Sequence, residues 1–201
     1  LRLLKEKNPT CSIRVNTNLS TTQTGIFELL CGFKNVHWTV SVETIEEEYE
    51  YVRHHGKWQD FCDNLKIINK LNHKVAFNML HFILNYKSIH RCVDFLKGQG
   101  FHENSFIIGP LYQPEYFNTL NLPTPMLNGM LTTLENKLEN VSPGYLANSY
   151  ENLIAYYTAT AWKKDIKSFY ENVGIMDKRR GLESRNIFPS LYEELDAYMV
   201  E

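Results

Sequence analysis

HWTVSVETIEEEYEYVR, residues 37–53, is the stretch on which the fold turns. A short β-patterned run, Val36 to Val42, ends in Ser41 and Glu43, and Arg53 follows after a brief acidic segment. Ligand-binding polar groups of a parallel α/β sheet stand at that place, the carboxyl end of a strand. Outward from it the chain alternates strand and helix as far as about Gly109. Ser12 to Val15 is β-prone and ends in the polar cluster Asn16-Thr17-Asn18. A helix with Ile26, Phe27, Leu29 and Leu30 follows and stops near Gly32. From Trp58 to Leu71, the residues Trp58, Phe61, Cys62, Leu65 and Ile68 recur at three- and four-residue steps, the period of an amphipathic helix. Val75 to Leu80 is a third strand, leading to Asn85. A helix then carries Ile89, Cys92, Val93 and Leu96 on one stripe and ends at Gly98 and Gly100. Ser105 to Ile108 is a fourth strand, broken by Gly109-Pro110. Strands separated by amphipathic helices mean βαβ units, a parallel sheet and right-handed crossovers.

The character changes at Tyr112. Pro114, Pro123 and Pro125 interrupt any regular element, so residues 1–111 and 112–201 are read as two segments. The second is helical: Met126 to about Glu139, a long helix from about Tyr145 to Asn172 begun by Ser142-Pro143, and a last one from Pro189.

Composition bounds the function. The chain has 201 residues, 43% hydrophobic and 22% charged, as in an ordinary globular domain with a sizeable core. A formal net charge of -2 gives no electrostatic reason to expect a nucleic-acid partner. No apolar run approaches a membrane span, and LRLLKEK at the start lacks the apolar core of a signal peptide, so the expected address is cytoplasmic. Cys11, Cys31, Cys62 and Cys92 are spaced too widely for a zinc, iron–sulfur or redox motif and are read as free thiols. His54-His55 makes no metal site, since adjacent histidines do not share a helix face.

Candidate ligand-holding groups follow from the strand ends: Asn16, Thr17 and Asn18, then Ser41 and Glu43, then Asn78, His81 and Asn85, then the backbone near Ile108. These are neutral hydrogen-bonders plus one acid, a set suited to a ribose or an amino acid moiety. Arg53 is suited to a carboxylate, which its fork holds through two parallel bonds. The alternative is that these residues are turn-formers and caps.

The order of Ser12-Ile13-Arg14-Val15-Asn16-Thr17-Asn18, Trp38-Thr39-Val40-Ser41-Val42-Glu43 and Tyr49-Glu50-Tyr51-Val52-Arg53 resembles the third strand, fourth strand and following helix of radical S-adenosylmethionine (SAM) enzymes. Trp58 to Leu65, Lys74 to Asn85 and Gly100-Phe101 continue the resemblance. Asp177 to Gly181 with Ile187 to Leu191 resembles the tail of twitch-domain radical SAM proteins. The resemblance implies part of a (β/α)6 barrel under a helical, twitch-like tail. It implies that Ser41 and Glu43 meet the SAM ribose or amino acid end, Arg53 the SAM carboxylate and Asn78 the ribose. Thr17 and Asn18 then line the site, and the backbone at Ile108 flanks the adenine. In such enzymes a 4Fe–4S cluster on a C-x-x-x-C-x-x-C loop and an electron donor protein start radical chemistry on a peptide or small-molecule substrate. Neither that loop nor an auxiliary set of cysteines is present here, so the expectation is a fragment of a radical SAM enzyme, inactive alone. No residue of this chain is assigned a catalytic or metal-ligating role. The other expectation is a non-catalytic nucleotide- or partner-binding α/β module, and a third is a scaffold.

Overall fold

Apolar residues at every second position between Ser12 and Pro110 form four strands, and the amphipathic stretches between them form the helices. The computed structural model describes residues 1–20 and 24–199, so the last two residues of the tail lie outside it. A short helix, α1 (Arg2–Lys7), precedes β1 (Ser12–Thr17), α2 (Thr24–Cys31), β2 (Asn35–Ser41), α3 (Glu46–Val52) and α4 (Trp58–Lys70). Then come β3 (Lys74–His81), α5 (Ile89–Gly98) and β4 (Phe106–Pro110). The strands pair in the order β1-β2-β3-β4, all parallel. The α/β class with four parallel strands is as the sequence leads one to expect.

Sequential order has a consequence for the site. Right-handed crossovers between neighbours taken in turn all place their helices on the same side of the sheet. Val36, Trp38, Val40, Phe77, Met79, Phe106 and Ile108 face that side and are buried. Helix α2 sets Phe27 against Trp38 with ring centroids 5.7 Å apart, while α4 and α5 add Phe61, Leu65, Ile68, Ile89, Cys92 and Leu96 to the same core. The opposite face is open. Arg14, Asn16, Lys74, Asn78 and Ile107 on it are exposed, and His37, Thr39 and Ser41 are half-buried.

The second segment contains α6 (Thr124–Glu139), α7 (Tyr145–Ala159), α8 (Ile166–Arg180), α9 (Ser184–Ile187) and α10 (Pro189–Met199). One hydrophobic cluster joins it to the sheet, running from Val40 and Phe77 through Leu153 and Tyr157 to Phe169 and Leu195. Helix α7 covers β4. Helices α8 to α10 sit over the loops that leave the strands: Phe188 meets Tyr51 edge-on at 5.3 Å, Phe169 meets Phe117 at 6.0 Å, and Lys87 pairs with Glu194 at 2.7 Å. Among the described residues no helix is long and apolar enough to cross a membrane.

Three local expectations are corrected. The single helix from Tyr145 to Asn172 is two, because residues 160–165 leave the helical path. Asn121 Oδ1 accepts from Trp162 Nε1 at 2.8 Å and from the Asp165 amide at 3.1 Å, tertiary bonds that replace helical ones. Asp165 then caps α8 by accepting from the Ser168 amide at 3.0 Å. Nothing in Thr158-Ala159-Thr160-Ala161 announces the break, since the bonds that make it come from 40 residues upstream.

Ser142 is not the start of α7. The helix begins at Tyr145, whose amide donates to Asn104 Oδ1 at 3.2 Å, with Gly144 before it. A Cβ at Gly144 would lie 2.0 Å from that same oxygen, so a larger residue there would push the Asn104 side chain off the Tyr145 amide. Strand β4 runs through Gly109 to Pro110, opposite His81. Proline is tolerated there because β4 is the last strand and needs no further ladder donor.

Candidate functional site

At the end of β1, the side chains of Thr17 and Asn18 are turned back on their own backbone. Thr17 Oγ1 accepts from the Leu19 amide at 3.0 Å and Asn18 Oδ1 from the Ser20 amide at 3.2 Å. These are the local bonds by which Thr and Asn form turns. They hold Leu19 at φ 53, a left-handed conformation seldom adopted by leucine, with its side chain buried. The Asn18 carbonyl accepts from the Tyr49 hydroxyl at 3.1 Å, and the Leu19 carbonyl from Asn64 Nδ2 at 2.8 Å. Burial raises the Tyr49 phenol to about 12, so it stays a donor.

At the end of β2, Glu43 is 3% exposed and lies in the fork of Arg53. Arg53 Nε donates to Glu43 Oε2 at 3.0 Å, and Nη2 donates to Oε1. Burial pushes the Glu43 carboxyl up, and the charge and hydrogen bonds of Arg53 pull it down. Arg53 stands just past α3, where the chain turns sharply: the Gly56 amide donates to the Arg53 carbonyl at 2.6 Å. A Cβ on Gly56 would come within 2.8 Å of that oxygen. The two charged groups expected to hold one ligand are thus each other's partner.

Ser41 and Asn78 come together differently. They are register partners on the open face, with Ile107 beside Asn78. Ser41 is half-buried and Asn78 exposed. One step towards the amino ends lies the row Asn16, Thr39 and Ala76, and one step further the row Arg14, His37 and Lys74. Ile108 points to the helical side, and its amide donates to Ser149 Oγ on α7 at 3.0 Å.

Asn85 and His81 lie at the carboxyl end of β3, both fully buried. Asn85 Nδ2 donates to the Leu80 carbonyl at 2.8 Å and the Glu43 carbonyl at 3.2 Å, while its Oδ1 accepts from the Phe82 amide at 2.8 Å. It therefore stitches the ends of β2 and β3 together. His81 is within 2.7 Å of the Tyr157 hydroxyl through Nδ1 and within 3.0 Å of the Tyr86 carbonyl through Nε2. Burial pushes its pKa down to about 4, so the ring is neutral at pH 7.

The rings of His54 and His55 are 3.8 Å apart beside a hollow of about 410 Å³ shared with Tyr51 and Arg180. Among the described residues no group of three or more His, Cys, Asp or Glu could hold a metal ion. No protein-family model matches the chain, and neither does any curated protein or solved structure.

Sequence reasoning named the strand ends and passed over the open face below them. Its signal was present. Arg14 and Asn16 on β1 and His37, Thr39 and Ser41 on β2 are polar at every second position, and β3 adds Lys74 and Asn78 on either side of Ala76. A parallel sheet usually has both faces covered and nearly continuous apolar strands. Polar alternation in such a sheet marks a face without helices.

Proposed function

We propose that this chain is part of a radical SAM barrel and that the open face of its sheet holds S-adenosylmethionine at the carboxyl end. The observation that carries the reading is the pairing of Ser41 with Asn78 on the sheet face opposite the crossover helices. Helices on one face only, with ligands gathered at the carboxyl ends of the strands, is the arrangement of a barrel segment. Ser41 Oγ and the Asn78 amide supply donors and acceptors to ribose hydroxyls or to the amino acid end of SAM. In this reading bound SAM, given one electron by a cluster not held by these residues, would break its sulfonium–C5′ bond with release of methionine and so supply hydrogen-abstracting chemistry toward a peptide or small-molecule substrate. Four scattered cysteines do not fit a 4Fe–4S cluster, and no step through one is assigned to these residues.

The test is binding of SAM to the intact chain, followed by calorimetry and by the rise in Tm that a ligand of the native state produces. SAM should bind saturably, and Ser41→Ala with Asn78→Ala should abolish binding while leaving the unliganded Tm within about 2 °C, as for exposed substitutions. Saturable binding unchanged by the double substitution removes the site from this face.

A second reading, a non-catalytic nucleotide-binding module, is favoured by the pairing of Arg53 with Glu43, which leaves that guanidinium engaged rather than presented to a SAM carboxylate. Adenosine binding as tightly as SAM selects the module. A clear preference for SAM selects the radical SAM reading.

A further inference from the structure

The amino-end half of the open face has a chemistry of its own. Arg14 is opposite His37, and His37 opposite Lys74, in one cross-strand row. Neighbouring strands are about 4.8 Å apart, so the row places three basic side chains across about 10 Å. No hydrogen bond, ion pair or ring contact engages the side chain of any of the three among the described residues. None of the four strands contains Asp or Glu, although the chain as a whole has 23 acidic residues against 21 Lys and Arg. Among the described residues nothing of opposite charge pairs with Arg14 or Lys74, so the row is open to an anion from outside the chain.

From this row we infer that the amino-end half of the open face is a seat for a ligand with at least two phosphate groups. Arg14 takes two oxygens of one phosphate in its fork, Lys74 acts as a point charge on the next, and an N–H of His37 lies between them. Asn16 and Thr39, in the following row, reach the ester or hydroxyl part of the same ligand. SAM carries a sulfonium and an ammonium against one carboxylate and is not attracted to such a row. The phosphate seat is therefore separate from the SAM site and stands without it.

The experiment is calorimetric titration of the intact chain with inorganic pyrophosphate, ADP and adenosine, at low and at physiological salt. Pyrophosphate and ADP should bind saturably and more weakly at high salt, while adenosine gains nothing from the row. Arg14→Gln with Lys74→Gln should weaken pyrophosphate by about tenfold or more, since each lost contact is charge-assisted. Lys178→Gln with Arg179→Gln, two exposed cations on α8, should leave it unchanged. Hydrogen exchange gives a second readout: amides of 12–17, 35–41 and 74–81 should slow on adding pyrophosphate to the unmodified chain. Non-saturating uptake, equal loss in the α8 control, or no slowing in those strands overturns the seat. Ser41→Ala with Asn78→Ala separates the two proposals, because it should remove SAM binding and keep pyrophosphate binding. Loss of SAM binding in that variant with no pyrophosphate binding in any form sinks the phosphate seat alone.

Discussion

Arg53 grips Glu43 through two of its nitrogens across a gap of ten residues, closing β2 onto the end of α3. The carboxylate is buried and the guanidinium is a quarter exposed, so the pair is strongly asymmetric in its dependence on one partner. Removing a partner from a buried pair leaves an uncompensated charge behind, which costs more than the pair itself is worth.

Arg53→Ala is therefore expected to lower the unfolding free energy by about 2–3 kcal/mol, toward the lower end for buried pairs because Arg53 is partly hydrated. Adding Glu43→Gln to that variant should recover part of the loss, since the orphaned charge is gone. Urea midpoints of the two single variants and the double variant make the cycle. A loss below about 1 kcal/mol, typical of surface pairs, would show that Glu43 finds water.

His81 gives the chain a pH dependence of definite sign. Its folded-state pKa of about 4 lies below the ordinary histidine value of 6.5. The unfolded chain thus takes up the proton first as pH falls. The contribution of the neutral ring is complete above pH 6.5 and is lost between there and about 4, amounting to about 3 kcal/mol. Stability of wild type minus that of His81→Gln, measured in urea at pH 7 and at pH 4.5, should shrink by roughly this amount. A difference constant with pH would mean that the ring takes up its proton as readily in the native state as in the unfolded chain.

The C-terminal helices are tied to α3 by the Asp177 carboxylate, beside Arg180 Nη1, which donates to the Tyr51 carbonyl at 2.8 Å. Asp177 accepts from the Tyr51 hydroxyl at 2.6 Å, from the Ser184 amide at 2.9 Å and from Ser184 Oγ at 2.7 Å. Asp177→Ala strands the Tyr51 hydroxyl and the Ser184 amide, while Ser184 Oγ keeps the Tyr192 hydroxyl at 2.6 Å, and is expected to cost about 2–3 kcal/mol. Limited proteolysis should then cut between 180 and 189 before the sheet opens. Equal cutting rates in variant and wild type would place the hold elsewhere.

All four cysteines are free, and they differ in access. Cys92 is fully buried, and burial, then the charges of Glu43 and Glu48, hold its thiol well above the ordinary value. A thiol reagent should label Cys11, Cys31 and Cys62 in the native protein and Cys92 only as the chain unfolds. Cys92→Ala should delete the slow class alone. A fourth thiol reacting at the native rate would mean that α5 opens locally.

The strands, their parallel class and the helices between them were legible because burial imprints a period on local sequence: two residues along Val36–Val40, three and four along Trp58–Ile68. The break at residues 160–165 and the true start of α7 were not, because Asn121 and Asn104 impose them from a distance. The candidate site divides in the same way. That Ser41, Glu43 and Arg53 lie near a strand end follows from chain order alone. That Arg53 is committed to Glu43, that Thr17 and Asn18 bond their own turn, and that Ser41 meets Asn78 on an open face beside a row of Arg14, His37 and Lys74 are matters of register and packing. Local sequence carries the period of an element. Which side chains become neighbours is decided by strand order and by the hand of the crossovers, and these exist only once the chain has folded.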